Sequence, residues 1–136
     1  MPNSDIDIAN AVAALAATAG VEGCALVEAE TGMAWHHGGR LDGMEMLGEA
    51  AVEFWRLQRR LSEHFAVLGP ARSAACGFDA HLITLYPCLR GGPDAHELVV
   101  VCVAQRHRVD WGVWSRGMQQ LHAALGSTAA PEVALS

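Results

Sequence analysis

Seven histidines and four cysteines are the side chains of this 136-residue sequence best suited to metal or nucleophile chemistry, and their spacing argues against both. Cys24, Cys76, Cys88 and Cys102 lie far apart with no CxxC pair, and Cys24 and Cys102 fall in apolar, strand-like runs. Such thiols read as buried and reduced, not as a disulfide framework or a low-pKa nucleophile. A hairpin turning near Phe78-Asp79 sets Cys76 opposite about His81, which leaves Cys88 too far along the partner strand for a bridge. His36 and His37 are adjacent in a predicted strand, where successive side chains point to opposite faces, so they cannot chelate one ion together. Neither HExxH nor a Cys/His pair at zinc spacing occurs. The GxSxG, GxGxxG and GxxxxGK[ST] patterns are absent, and Gly38-Gly39 and Gly91-Gly92 sit in ordinary turn contexts. No catalytic, cofactor-binding or metal-binding residue is assigned, and no cofactor is expected.

The aromatic residues invite a different chemistry, that of contact. Trp111 and Trp114 read as packing between a last helix and a sheet. Trp55 lies at the edge of an apolar arc beside Arg59, a composition found at interface hot spots; it either stands exposed for a partner or folds down onto its own chain.

Length and composition set what must position these residues. A chain of this size forms one domain with one core, and 51% hydrophobic against 18% charged residues is enough apolar surface to fold. The formal charge is −6, and Arg56, Arg59 and Arg60 share a segment with Glu49, Glu53 and Glu63, so a nucleic-acid backbone is a poor partner. No stretch approaches the roughly 20 apolar residues needed to cross a bilayer, and the N-terminus lacks the basic flank of a secretion signal. The expectation is a cytoplasmic protein without a membrane partner.

Periodicity supplies the elements. Ser4-Asp5-Ile6-Asp7 fits a capping box for a first helix carrying Ile8, Val12, Leu15 and Ala19, with Gly20 as its stop. Val21 to Ala29 and Met33 to His36 form a hairpin around Glu30-Thr31-Gly32. Asp42 and Glu45 offer a cap for a second helix, whose start Gly48 displaces toward Leu47. From Leu47 to Leu68 the apolar residues cover an arc of roughly 160°, against about 100° needed to lie on one sheet, so a second surface is required. Ser73 to Gly77 and His81 to Leu89 follow as strands, with Pro87 ending a row of donors. After a turn at Gly91 to Asp94, the unbroken run Leu98 to Ala104 suits a central strand covered on both faces. Asp110 caps a last helix with a Trp114, Met118, Leu121 and Leu125 stripe, and Gly126 ends it. Residues 1–126 thus make one domain, and 127–136 read as a flexible tail.

The segment Ala19-Gly20-Val21-Glu22-Gly23-Cys24-Ala25-Leu26-Val27, with the acidic turn to Gly32, resembles the "GV.GA.LV…G" opening of the roadblock/dynein-light-chain (roadblock/LC7) family. Leu85-Tyr86-Pro87-Cys88-Leu89 and Glu97 to Ala104 fall where that family places its fourth and fifth strands. The resemblance implies an α+β, profilin-like/roadblock fold in the order α-β-β-α-β-β-β-α, with a five-stranded antiparallel sheet, two helices on one face and the middle helix on the other. It further implies a non-catalytic homodimer joined through third strands and middle helices, acting as a scaffold or regulator of a small Ras-like GTPase or as a motor light chain. On that basis Ala51, Trp55, Gln58, Arg59, Ser62, Ala74, Ala75 and Cys76 are the expected dimer-interface residues. The rival from another class is a profilin-, PAS- or GAF-like sensor holding a small molecule between sheet and helix.

Overall fold

The computed structural model describes residues 5–90 and 96–126. Ser4 of the expected capping box, the turn at Gly91 to Asp94 and the tail 127–136 lie outside them. The elements are α1 (Asp5–Ala16), β1 (Val21–Glu28), β2 (Ala34–Gly39), α2 (Met44–Arg60), a 3₁₀ segment (Ser62–Leu68), β3 (Ala74–Gly77), β4 (His81–Arg90), β5 (His96–Gln105) and α3 (Trp111–Ala124). They follow the expected order and build the expected α+β fold.

The five strands form one antiparallel sheet in the order β2-β1-β5-β4-β3. The apolar run of β5 is central, and its residues Leu98 to Ala104 are all buried, because helices cover both faces. On one face, α1 and α3 enclose Cys24, Leu26, Tyr86, Leu98, Val100 and Cys102. On the other, α2 covers Ala25, Val27, Leu85, Val99 and Val101. Two cores therefore share the sheet, and alternation along β1 and β5 divides their side chains between them.

Helix α3 follows its sequence signals closely. The Asp110 carboxylate accepts from the Val113 N–H at 3.1 Å, and Trp114, Met118, Leu121 and Leu125 are all buried. Trp114 packs against Tyr86 at 5.9 Å between ring centroids, whereas Trp111 leans edge-on against Trp114 and stays half-exposed, so only one of the pair is core.

Local expectations change at the end of α1 and at the β3–β4 turn. Helix α1 ends at Ala16, so Ala19 lies beyond the helix, where its carbonyl accepts from Asp110 N–H, and Gly20 begins the approach to β1 at φ 88°. Strand β4 runs through Pro87 as expected and reaches Arg90, with Pro87 opposite Val99. This is tolerated because β3 pairs β4 only as far as Leu85, so the missing donor lies where β4 has no outer neighbour among the described residues. The β3–β4 turn falls one residue later than expected, at Asp79-Ala80, closed by Phe78 N–H to His81 C=O, and it sets Cys76 opposite Ile83 instead of His81.

Candidate interaction surface

The seat of α2 is set by small residues. The helix begins at Met44, with Gly43 as N-cap at φ 75° and no side-chain cap, so Asp42 and Glu45 do not play the capping role expected of them. Gly48 does not delay the helix; it lies inside, against β1. A Cβ at Gly48 would stand 2.8 Å from Ala25 Cβ and 3.3 Å from Val27 Cγ2, closer than side chains pack, so glycine there lets the helix lie down on the strand. Met44, Gly48, Ala51, Val52 and Trp55 make the inward stripe at i, i+4, i+7, i+8 and i+11.

One flank of α2 is polar and faces β2. Glu49 accepts from Ala34 N–H at 3.5 Å, and Arg56 donates to the Ala29 and Glu30 carbonyls at the β1–β2 turn. Arg56 also pairs with Glu53 along the helix. The opposite flank, turned toward β4 and the β3 edge, carries Leu47, Ala50, Phe54, Leu57 and Leu61. Phe54, Leu57 and Leu61 are 41%, 46% and 39% exposed, and Phe65, Val67 and Leu68 extend the apolar surface through the 3₁₀ segment. The helix gives way there because Leu61 N–H divides between the Leu57 and Gln58 carbonyls, a shift from i−4 to i−3 bonding.

The expected interface residues separate into three groups. Ala51 and Trp55 are each 3% exposed and packed on their own sheet, and Trp55 Nε1 donates to Glu97 Oε2 at 3.3 Å. Of the two placements open to Trp55 the structure takes the second, against an exposed hot spot: it folds down onto its own chain, because its large ring fills the space between α2 and the start of β5 and its N–H finds a carboxylate. Arg59 pairs with the other Glu97 oxygen, so Glu97 joins the two side chains to the sheet. Gln58, Ala74 and Cys76 are half-buried, with Ala74 and Cys76 packed against the α2-side core. Ser62 and Ala75 are exposed, Ala75 on the opposite sheet face from its strand neighbours. Phe54, Leu57 and Leu61 belonged to the apolar arc but not to the expected interface set; their steps of three and four residues were the signal that could have singled them out.

No family model and no curated protein matches this sequence. Solved structures do match. A roadblock/LC7 domain from Streptomyces avermitilis superposes with a TM-score of 0.63 at 15% identity, covering 89% of this chain and 93% of that one. The fold is that of the roadblock/LC7 domain. MglB of Myxococcus xanthus gives a TM-score of 0.66 at 11% identity, covering 92% and 89%. The gliding protein MglB of Thermus thermophilus gives 0.66 at 12%, covering 93% and 94%.

Within this roadblock fold the titratable groups are dispersed. Cys24, Cys88 and Cys102 are buried, and desolvation pushes the Cys88 and Cys102 thiols up to about 12 and Cys24 well above its ordinary value. These thiols stay protonated at neutral pH and are poor nucleophiles. His36 faces Asp5 of α1 at 3.8 Å while His37 faces Glu45 of α2 at 4.0 Å, so adjacent strand positions do serve opposite faces. Among the described residues no group of three or more His, Cys, Asp or Glu side chains is placed to hold a metal, and no helix is long and apolar enough to cross a membrane. His122 is buried with both ring nitrogens lacking a hydrogen-bond partner, and desolvation lowers its pKa below 6.5.

Proposed function

We propose that this chain is a non-catalytic, cytoplasmic interaction module that forms a homodimer and, as that dimer, regulates a small Ras-like GTPase. The carrying observation is the uncovered apolar flank of α2, Phe54, Leu57 and Leu61, turned toward the short edge strand β3. A monomer gains nothing by exposing three large apolar side chains in one row, whereas a second copy covers them and can pair the open edge of Ala74–Gly77. Self-association is supported by an MglB structure described as a tetrameric arrangement, with a TM-score of 0.66 at 12% identity over 93% of both chains.

In this reading Gln58, Arg59, Ser62, Ala74, Ala75 and Cys76 border the interface, and Ala51 and Trp55 hold α2 in place from beneath. The GTPase role is what the roadblock resemblance implies. A dimer that binds one nucleotide state more tightly shifts the switch by that difference in affinity, and a tenfold preference needs only about 1.4 kcal/mol.

Light scattering after size exclusion at micromolar concentration is expected to give twice the chain mass, and a clean monomer overturns the dimer. Pull-downs from lysate loaded with GTP analogue or GDP, read by mass spectrometry, are expected to recover a GTPase with a nucleotide preference. Recovery in neither state, with a small molecule co-purifying at one per chain, favours a sensor instead.

A further inference from the structure

Resting on the dimer reading above, we infer that α2 takes a second copy of this chain in one antiparallel register, selected by ion pairs between Glu53 of each copy and Arg60 of the other. The flank consists of Leu47, half-buried against the α2-side core, and the exposed Ala50, Phe54, Leu57 and Leu61; their steps of three, four, three and four residues make a two-stranded coiled-coil seam. It is a separate stripe from the one that seats the helix. At about 100° per residue it lies roughly 120° around α2 from the Met44, Gly48, Ala51, Val52 and Trp55 face.

The residues bordering the seam decide how a copy can lie on it. On the sheet side stand Ala51, buried, and Gln58, half-buried. On the outer side stand Met46, Glu53 and Arg60, all exposed. In a parallel pair Glu53 would meet Gln58 and Arg60 would meet Phe65, so neither charge finds its complement. In an antiparallel pair, outer positions meet outer positions.

One register then sets Phe54 against Leu57 of the second copy and Ala50 against its Leu61, and the same alignment brings Glu53 to Arg60 twice, once on each side of the two-fold axis. A slip of one heptad in one direction opposes Glu53 to Glu53; in the other it opposes Arg60 to Arg60. The seam fills with apolar layers in the Glu53-to-Glu53 slip as well, so it is the like charges, which disfavour both slips, that select the alignment. Glu53 already pairs with Arg56 of its own helix, and its carboxylate, more than half exposed, can accept from a second guanidinium. This arrangement keeps both α2 helices on the same side of the sheet, with Gln58 of each copy inward and the ion pairs facing solvent.

The test is a charge exchange. Glu53→Arg alone and Arg60→Glu alone each place like charges twice across the homodimer and are expected to weaken it about tenfold by analytical ultracentrifugation. Mixed one to one, the two variants restore both attractive pairs, so native mass spectrometry is expected to find heterodimer well above the statistical half. The double variant E53R/R60E is expected to dimerise as tightly as wild type. Effects inside a chain, such as loss of the Glu53–Arg56 pair, are equal in homodimer and heterodimer and cancel in the mixing ratio. A wild-type dimer whose variants mix statistically overturns the register and leaves the dimer reading standing; a monomeric wild type overturns both.

Discussion

Replacing Gly48 with alanine sets two known contributions against each other. Alanine in a helix interior is favoured over glycine by about 1 kcal/mol, since glycine gives up more backbone freedom on folding. Against that gain stands the 2.8 Å separation between the new Cβ and Ala25 Cβ, with Val27 Cγ2 at 3.3 Å. Ala25 Cβ is attached directly to β1, a strand paired on both sides, so it cannot turn away as a long side chain could. The helix must lift by several tenths of an ångström, loosening Met44, Ala51, Val52 and Trp55 beneath it. Overpacking of a well-filled core costs about 1–3 kcal/mol, so the net expectation is a loss of about 1 kcal/mol. Gly117→Ala is the control: its Cβ would meet Leu15 Cδ2 at 2.7 Å, the far end of a side chain and not an atom fixed to the backbone, and its loss is expected to be smaller. Guanidinium unfolding at one fixed protein concentration measures both, because association contributes to apparent stability. If Gly48→Ala raises the midpoint without changing the slope, the close seating of α2 on β1 is wrong, and with it the placement of the exposed seam.

Three further outcomes follow from the same packing. Trp55→Ala is expected to destabilise the fold by about 3–5 kcal/mol, because it empties a buried site and removes the donor to Glu97; a variant that folds as well as wild type and only loses its dimer would return Trp55 to the surface. A thiol reagent is expected to find Cys76 slowly accessible in the native protein and Cys24, Cys88 and Cys102 only after denaturation; four silent thiols in a demonstrated monomer would contradict the exposure of β3. The lowered pKa of His122 makes protonation favour the unfolded chain, so its contribution is fully retained above pH 6.5 and declines as pH falls from there toward the folded-state value. His122→Leu is expected to flatten this part of the melting-temperature profile between pH 5 and 7, and an unchanged profile would remove His122 as its source.

Some of this was settled by local pattern alone. The unbroken run Leu98 to Ala104 could satisfy its apolar side chains only with cover on both faces, and β5 is the middle strand. Asp110 and the stripe ending at Leu125 specified α3 from cap to core, since a side-chain oxygen before an amphipathic run fits one place on a helix. The excess apolar arc after Leu47 was also visible, and Phe54, Leu57 and Leu61 stand exposed on it. What periodicity cannot supply is the origin of rotation. An arc of roughly 160° fixes the angles between Trp55, Phe54 and Leu57 but not which of them turns inward. That choice belongs to the tertiary structure. Gly48 and Ala51 let α2 approach Ala25 and Val27 most closely along one stripe, Glu97 waits across the sheet for the Trp55 N–H, and Arg56 fastens the opposite flank to the β1–β2 turn. Packing against β1 therefore decides between the two placements that local composition leaves open for Trp55, burying it and leaving Phe54, Leu57 and Leu61 outside, because closeness of approach depends on a strand more than twenty residues away in the chain and leaves no trace in the spacing of the helix itself.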